Sequence, residues 1–215
     1  MPRKGSLLRE LPILVIVALV VSIIIKTFLV QFFYIPSGSM ENTLQINDRV
    51  AVNKLPFVGK SIGRGDVVVF RDPDNWLPEP YAIDENKYLA KAKEALVAVG
   101  VLPNPAKQYL VKRVIGIAGD NVVGKDGVVT INGKKTTEPY IFAGNKASEL
   151  DFNVTVPEGK IWVMGDHRGA SADSRYHQDD VNNGFVPESK VTGRVLGIIW
   201  PIKNVGTVPS QDPLK

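Results

Sequence analysis

Between Leu11 and Ile25 the chain reads "LPILVIVALVVSIII" without a charge, and after Lys26 the apolar character resumes in "TFLVQFFY". No polar stripe divides the run, so it does not read as the amphipathic helix of a soluble core. A helix needs about 20 residues to cross a bilayer core at about 1.5 Å of rise each. A span starting at Leu11 is therefore expected to continue past Lys26, whose aliphatic stem can carry the ammonium toward head groups, to about Phe33. Arg3, Lys4 and Arg9 precede the run against Glu10 alone, which places the N-terminus in the cytoplasm and everything after Tyr34 outside, with Phe32, Phe33 and Tyr34 at the outer interface. A cleavable leader has the same basic and then apolar start. The pattern favours an uncleaved anchor, because the first small-x-small tripeptide, Ser37-Gly38-Ser39, comes only after the second apolar stretch.

Beyond Tyr34 the pattern changes to short β-branched runs separated by turn residues: "DRVAVNK", "GDVVVF", "YLVKRVIGI", "NVV", "GVVTINGK", "KIWVMGD" and "VTGRVLGIIW". This predicts a mainly β domain. Asn132-Gly133 after "VVTI" predicts a two-residue hairpin, since both residues accept the positive φ that such a turn requires. Between Asp72 and Gln108 the pattern breaks. "DPDNWLPEP" reads as a loop, and "DENKYLAKAKEALVAVG" as a helix with Leu89, Ala92, Leu96 and Val99 on one face, Asp84 at its start and Gly100 with Pro103 at its end. The expected organisation is a cytoplasmic flank over 1–10, a transmembrane anchor over 11–34, an extracytoplasmic β domain over 35–201 with an insert at about 72–108, and a flexible polar tail over 202–215.

Of the 215 residues, about 175 lie beyond the anchor, enough for one domain with a proper core. The net charge of +4 sits partly in the N-terminal flank, and no basic stripe with interleaved aromatics follows, so nucleic acid is not an expected partner. There is no cysteine, which excludes thiol nucleophiles, cysteine zinc sites and disulfides.

His167 and His177 are the only histidines, so a Ser-His-Asp triad has to use one of them. His167, between Asp166 and Arg168, has the setting of a structural hydrogen bonder as much as of a base. A serine can instead be activated by a lysine held neutral. Lys112 interrupts "YLVKRVIGI", where Leu110, Val111, Val114 and Ile115 indicate a buried strand. It reads either as such a base or as an edge-strand charge that guards against aggregation.

Four segments, in order after the apolar run, carry a resemblance to a known family: "PSGSM" at 36–40, "GDVVVF" at 65–70, "YLVKRVIGIAGD" at 109–120 and "GDHRGASADSRYHQDDVNNGFVP" at 165–187. With them the chain resembles the type I signal peptidases, membrane-anchored Ser/Lys endopeptidases of bacterial secretion. The resemblance implies an all-β signal-peptidase-like catalytic domain behind a single transmembrane helix in the plasma membrane, and no metal or cofactor. Its implied partners are membrane lipid and secretory precursors bearing signal peptides, cut after Ala-x-Ala or similar small-x-small sites.

The same resemblance implies Ser39 as nucleophile, Lys112 as general base, and Ser37 with the Ser39 backbone N–H as oxyanion hole. Ser171 is implied to bond the lysine amine, Asp166, Asp173 and Arg175 to brace the site, and Ile35, Pro36, Met40, Leu44, Leu110 and Val111 to build shallow pockets for small side chains. Burial on an apolar strand is expected to hold Lys112 neutral, with Arg113 directed to the opposite face. Three residues depart from the family pattern: Asn42 and Ala118 stand where proline is common, and His167 where asparagine is. Three other readings remain, one of them an organellar inner-membrane peptidase that differs in compartment rather than mechanism. A self-cleaving Ser/Lys repressor would carry a DNA-binding domain where this chain has its apolar run, and a membrane-tethered β module without activity would leave Ser39, Lys112 and Ser171 unexplained.

Overall fold

The computed structural model describes residues 10–19, 29–54, 62–77 and 108–215. Helix α1 covers residues 10–19, and its large apolar side chains, from Leu11 to Leu19, are exposed all round. Among the described residues no helix is long and apolar enough to cross a membrane. The expected helical span to about Phe33 needs correction, because Val30–Tyr34 is a strand, β1, paired antiparallel with β2 (Arg49–Asn53) in the register Val30↔Asn53 to Tyr34↔Arg49. The apolar pattern of "VQFFY" suits a strand as well as a membrane helix. The backbone groups of β2 decide between them by offering a ladder. The helix expected within the 72–108 insert lies outside the described residues.

The remaining strands are β3 (Val67–Arg71), β4 (Tyr109–Gly116), β5 (Asn121–Lys125), β6 (Val128–Ile131), β7 (Lys134–Lys135), β8 (Phe152–Thr155), β9 (Lys160–Met164), β10 (Val186–Pro187), β11 (Val191–Trp200) and β12 (Gly206–Thr207). Among the described residues they form two sheets. The larger runs β1-β2-β11-β3-β4-β9-β10 with β12 added to β11, and the smaller runs β7-β6-β5-β8. All the ladders are antiparallel.

β3 is buried on both faces. Val67 and Val69 join a cluster with Ile35, Met40, Leu44, Val50, Val52 and Val195, while Val68 and Phe70 join Trp76, Leu110, Val114, Ile161 and Val163. This is why "VVVF" is apolar throughout rather than alternating. A third cluster, around Ile115, Val122, Ile131, Phe152 and Trp162, fills the space between the two sheets. The sheets are joined at Ile117–Asp120, a turn closed by the Asp120 N–H to the Ile117 carbonyl at 3.0 Å with Gly119 at φ +85°. Asn132-Gly133 makes the expected tight hairpin between β6 and β7, with φ of 52° and 76°.

The tail also needs correction. Gly206–Thr207 pairs with β11, Val208 is buried among the β2 and β3 side chains, and Leu214 packs against the third cluster. The Gln211 N–H donates to the Gly65 carbonyl, and the Thr137 N–H donates to the Pro213 carbonyl. Polar composition predicted fraying, yet the few apolar side chains and backbone groups of this segment find places on both sheets.

Candidate active site

Ser39 lies in a turn that follows, after a bend at Ser37-Gly38, on a stretch tied to the sheet. The Ile35 N–H donates to the Asp48 carbonyl, and the Ile35 carbonyl accepts from Asn47, both at 2.9 Å. On the other side of Ser39 the Thr43 and Leu44 N–H groups bond the Met40 carbonyl at 3.0 and 2.8 Å, and Met40 and Leu44 are locked in the core. Asn42 takes φ 88° here, a conformation closed to proline, and its amide donates to the Tyr140 carbonyl at 3.1 Å. The departure from the family pattern at 42 therefore belongs to the local backbone.

The opposite wall comes from β4, whose Lys112 faces Val68 across the ladder. Lys112 Nζ donates to Ser39 Oγ at 2.7 Å, with the lysine 4% and the serine 8% exposed. Burial pushes the Lys112 amine down to about 8. Asp173 and then Asp166 pull it back up, and Arg175 adds to the depression. Desolvation dominates because an ammonium in this setting loses its water and regains only one hydroxyl in the described contacts. When the amine is neutral, the hydrogen bond reverses and Ser39 Oγ–H donates to Nζ, which is the geometry of proton abstraction.

The acids around the lysine are each held by an arginine. Asp166 accepts from Arg113 Nε and Nη2 at 2.8 and 2.6 Å and from the Thr43 hydroxyl, while Arg113 also donates to the Gly65 carbonyl and lies over the Tyr140 ring at 3.9 Å. Asp173 accepts from Arg175 Nε and Nη2 at 2.8 and 2.9 Å and from the Gly165 N–H at 2.9 Å. Both pairs are buried and each acid is matched by its own arginine, so the pull of Asp173 and Asp166 on the lysine offsets only part of its desolvation. Gly165 is required for this closeness, since a Cβ there would stand 2.3 Å from Ser171 Oγ and 2.5 Å from the Ser39 carbonyl oxygen. Ser171 is buried beside the Ser39 turn, but its Oγ has no hydrogen-bond partner, so the expected bond to the amine is not formed here.

Ser37 and Pro36, just before Ser39 in the chain, are exposed. Of the expected pocket residues, Ile35, Met40 and Leu44 share one buried cluster, against which Val111 packs half-buried. Leu110 belongs to the cluster on Phe70 and Trp76 instead. Sequence reasoning passed over Thr43, Glu41, Glu138 and Tyr140. Glu138 pairs with Arg168, whose Nε donates to the Gly165 carbonyl at 3.0 Å. None of these four lies in a motif, so no local signal marked them. Among the described residues no group of three or more His, Asp and Glu side chains is placed to hold a metal ion.

A hydroxyl bonded to a buried amine with a depressed pKa, on an antiparallel β frame, is the arrangement of a serine hydrolase that uses lysine in place of histidine. The sequence model of the family described as signal peptidase, peptidase S26, matches residues 8–200. "Probable signal peptidase I" of Mycobacterium leprae (strain TN) is 37% identical over 241 residues, covering 98% of this chain and 83% of that protein. Signal peptidase I of Mycobacterium tuberculosis (strain ATCC 25618 / H37Rv) is 37% identical over 233 residues, covering 99% and 79%. A crystal structure of a signal peptidase I from Enterococcus faecalis V583 matches with a TM-score of 0.38 at 26% identity, over 63% of this chain and 97% of that one. The chain belongs to the signal peptidase family, peptidase S26, and is a serine endopeptidase.

Proposed function

We propose that this protein removes signal peptides from secretory precursors at the outer face of the plasma membrane, with Ser39 as nucleophile and Lys112 as general base. The observation that carries the reading is the 2.7 Å contact between Lys112 Nζ and Ser39 Oγ in a dry setting. Neutral Lys112 takes the Ser39 proton as Oγ attacks the scissile carbonyl. The oxyanion is received by the Ser39 backbone N–H and the Ser37 hydroxyl, which lies on the exposed approach to Ser39. The resulting ammonium gives its proton to the leaving amine, so that the peptide bond breaks and the signal peptide remains as an ester on Ser39. Water, deprotonated by the same amine, attacks that ester, and the ammonium returns the proton to Ser39 Oγ as the signal peptide leaves as a carboxylic acid. Asp166 and Asp173, held by Arg113 and Arg175, keep the walls in place. Ser171, buried with a free Oγ, is assigned to receive the amine once Ser39 is acylated.

The stretch through Ile35 and Pro36, continuing from β1, suits a substrate that lies alongside as an added strand, with alternate side chains facing the enzyme. Small side chains one and three residues before the cut would be received against Ile35, Met40, Leu44 and Val111, whereas Leu110 lies in the separate cluster with Phe70 and Trp76. Membrane attachment is supported by the exposed apolar α1 and by an aromatic face on the large sheet. Tyr34, Arg49 and Trp200 form one row across β1, β2 and β11, with Tyr34 54% and Trp200 51% exposed and Phe32 beside them. Aromatic side chains of this kind settle at the level of head groups.

The test is cleavage of a secretory precursor, with sequencing of the new N-terminus, by the wild type, Ser39→Ala and Lys112→Arg. Cleavage after an Ala-x-Ala site by the wild type alone is the expected result, because a guanidinium stays protonated at any working pH. Activity in folded Lys112→Arg returns the role of base to another group.

A further inference from the structure

A second pair of side chains meets the nucleophile turn and has no part in the scheme above. Glu41 folds back over Gly38: a Cβ built at Gly38 would stand 3.0 Å from the Glu41 carboxyl carbon and 3.2 Å from each of its oxygens. The same carboxylate faces His167 Nδ1 at 3.2 Å. The imidazole lies flat on Phe142, with ring centroids 4.1 Å apart at 18°, and the Phe142 N–H is bonded to the Asp166 carbonyl at 2.9 Å. The backbone N–H of His167 donates to the Ser39 carbonyl at 3.1 Å. One residue thus grips Ser39 through its main chain and, through Glu41, the residue just before Ser39. Gly38 has no side chain with which to hold itself.

We propose that Glu41 and His167 are positioning residues that close as a clamp over Gly38 and Ser39 and keep Ser39 Oγ seated against Lys112 Nζ. The inference rests on the Ser39/Lys112 reading. The acid and base that flank His167 are engaged elsewhere, Asp166 with Arg113 and Arg168 with Glu138, so Glu41 is the charge that meets its ring. Around the lysine the charges that count are Asp173, Asp166 and Arg175. A change in the lysine's titration on loosening the clamp therefore reports water reaching the amine, not the loss of a neighbouring charge.

The experiment measures kcat and KM across a pH series, on a precursor peptide with an Ala-x-Ala site, for full-length Glu41→Ala, Glu41→Gln, His167→Ala and the Glu41→Ala/His167→Ala double variant. Both side chains are partly exposed, so the folds survive, and circular dichroism verifies this. Each single alanine variant is expected to lower kcat about tenfold with KM nearly unchanged, since a small misplacement of a reacting atom costs that much or more. The double variant falls no further than the worse single, and Glu41→Gln, which keeps an acceptor for Nδ1–H, recovers most of the rate. The pH limb belonging to Lys112 moves to higher pH in His167→Ala. Additive losses, a loss carried by KM, a wild-type kcat or an unmoved limb overturns the clamp. Ser39→Ala and Lys112→Ala run in parallel separate the two readings. If they stay active, the dyad fails, and if they are dead while His167→Ala equals the wild type, the clamp alone fails.

Discussion

Replacing Lys112 by methionine should make the protein inactive and, near neutral pH, more stable. The amine titrates at about 8 in the folded protein against 10.5 for an ordinary lysine. That difference corresponds to about 3 kcal/mol at about 1.36 kcal/mol per pH unit. Between these two values the unfolded chain holds a proton that the folded protein has released, so wild-type stability climbs with pH through this window and is lowest below it, where the ammonium must be buried. Methionine has similar length and no charge. The variant should exceed the wild type by roughly 2–3 kcal/mol at about pH 7, after about 1 kcal/mol is taken back for the Ser39 hydroxyl left without its partner. The hydroxyl loss is nearly independent of pH, so the advantage should shrink by about 3 kcal/mol as the pH is raised past the ordinary lysine value. Urea unfolding of both full-length proteins in one detergent, at stepped pH, measures the difference, and the titrations of all other groups cancel. A gap that stays constant or widens with rising pH would refute desolvation as the source of the neutral amine.

Asn42→Pro should cost about 3 kcal/mol or more, because position 42 needs φ 88° and proline is held near −65°, whereas Ala118→Pro should add about 0.4–1 kcal/mol at a turn whose next residue is a positive-φ glycine; the same urea titrations check both. Asp166→Ala leaves the Arg113 guanidinium buried beside an empty place and should lower stability by about 3–5 kcal/mol, seen as an earlier thermal transition. Deleting residues 206–215 removes Val208 and Leu214 from two clusters and the bond from Gln211 to Gly65, whose carbonyl holds Arg113. The deletion should lower both the melting temperature and kcat, and a melting temperature equal to that of the full chain would return the tail to the status of a loose end.

Much of the large sheet could be read from short-range pattern. β3 announced its two-sided burial by four consecutive apolar residues, and Asn132-Gly133 announced its hairpin by the one dihedral choice it makes cheaply. β1 could not be read in this way, because "VQFFY" is apolar whether it continues a helix or joins a sheet, and only the ladder with Arg49–Asn53 decides. The tail was misjudged for the converse reason: its apolar residues are too sparse to form a pattern, yet each fills a space that distant strands leave open.

The site divides along the same line. Ser39, Lys112, Asp166 and Asp173 stand in motifs and were legible as residue types, while the facts that make them chemical were not. Ser39 and Lys112 are 73 residues apart, and Glu41 and His167 are 126 apart. What the sequence determined is local: turn dihedrals, strand alternation, the unbroken apolar run, and the presence of a lysine in an apolar strand. Only the tertiary structure decided that this lysine loses its water, lies 2.7 Å from one particular hydroxyl, and is ringed by acids already paired with arginines. Hydration and distance depend on side chains brought together from far along the chain, and a pattern confined to neighbouring residues carries no record of either.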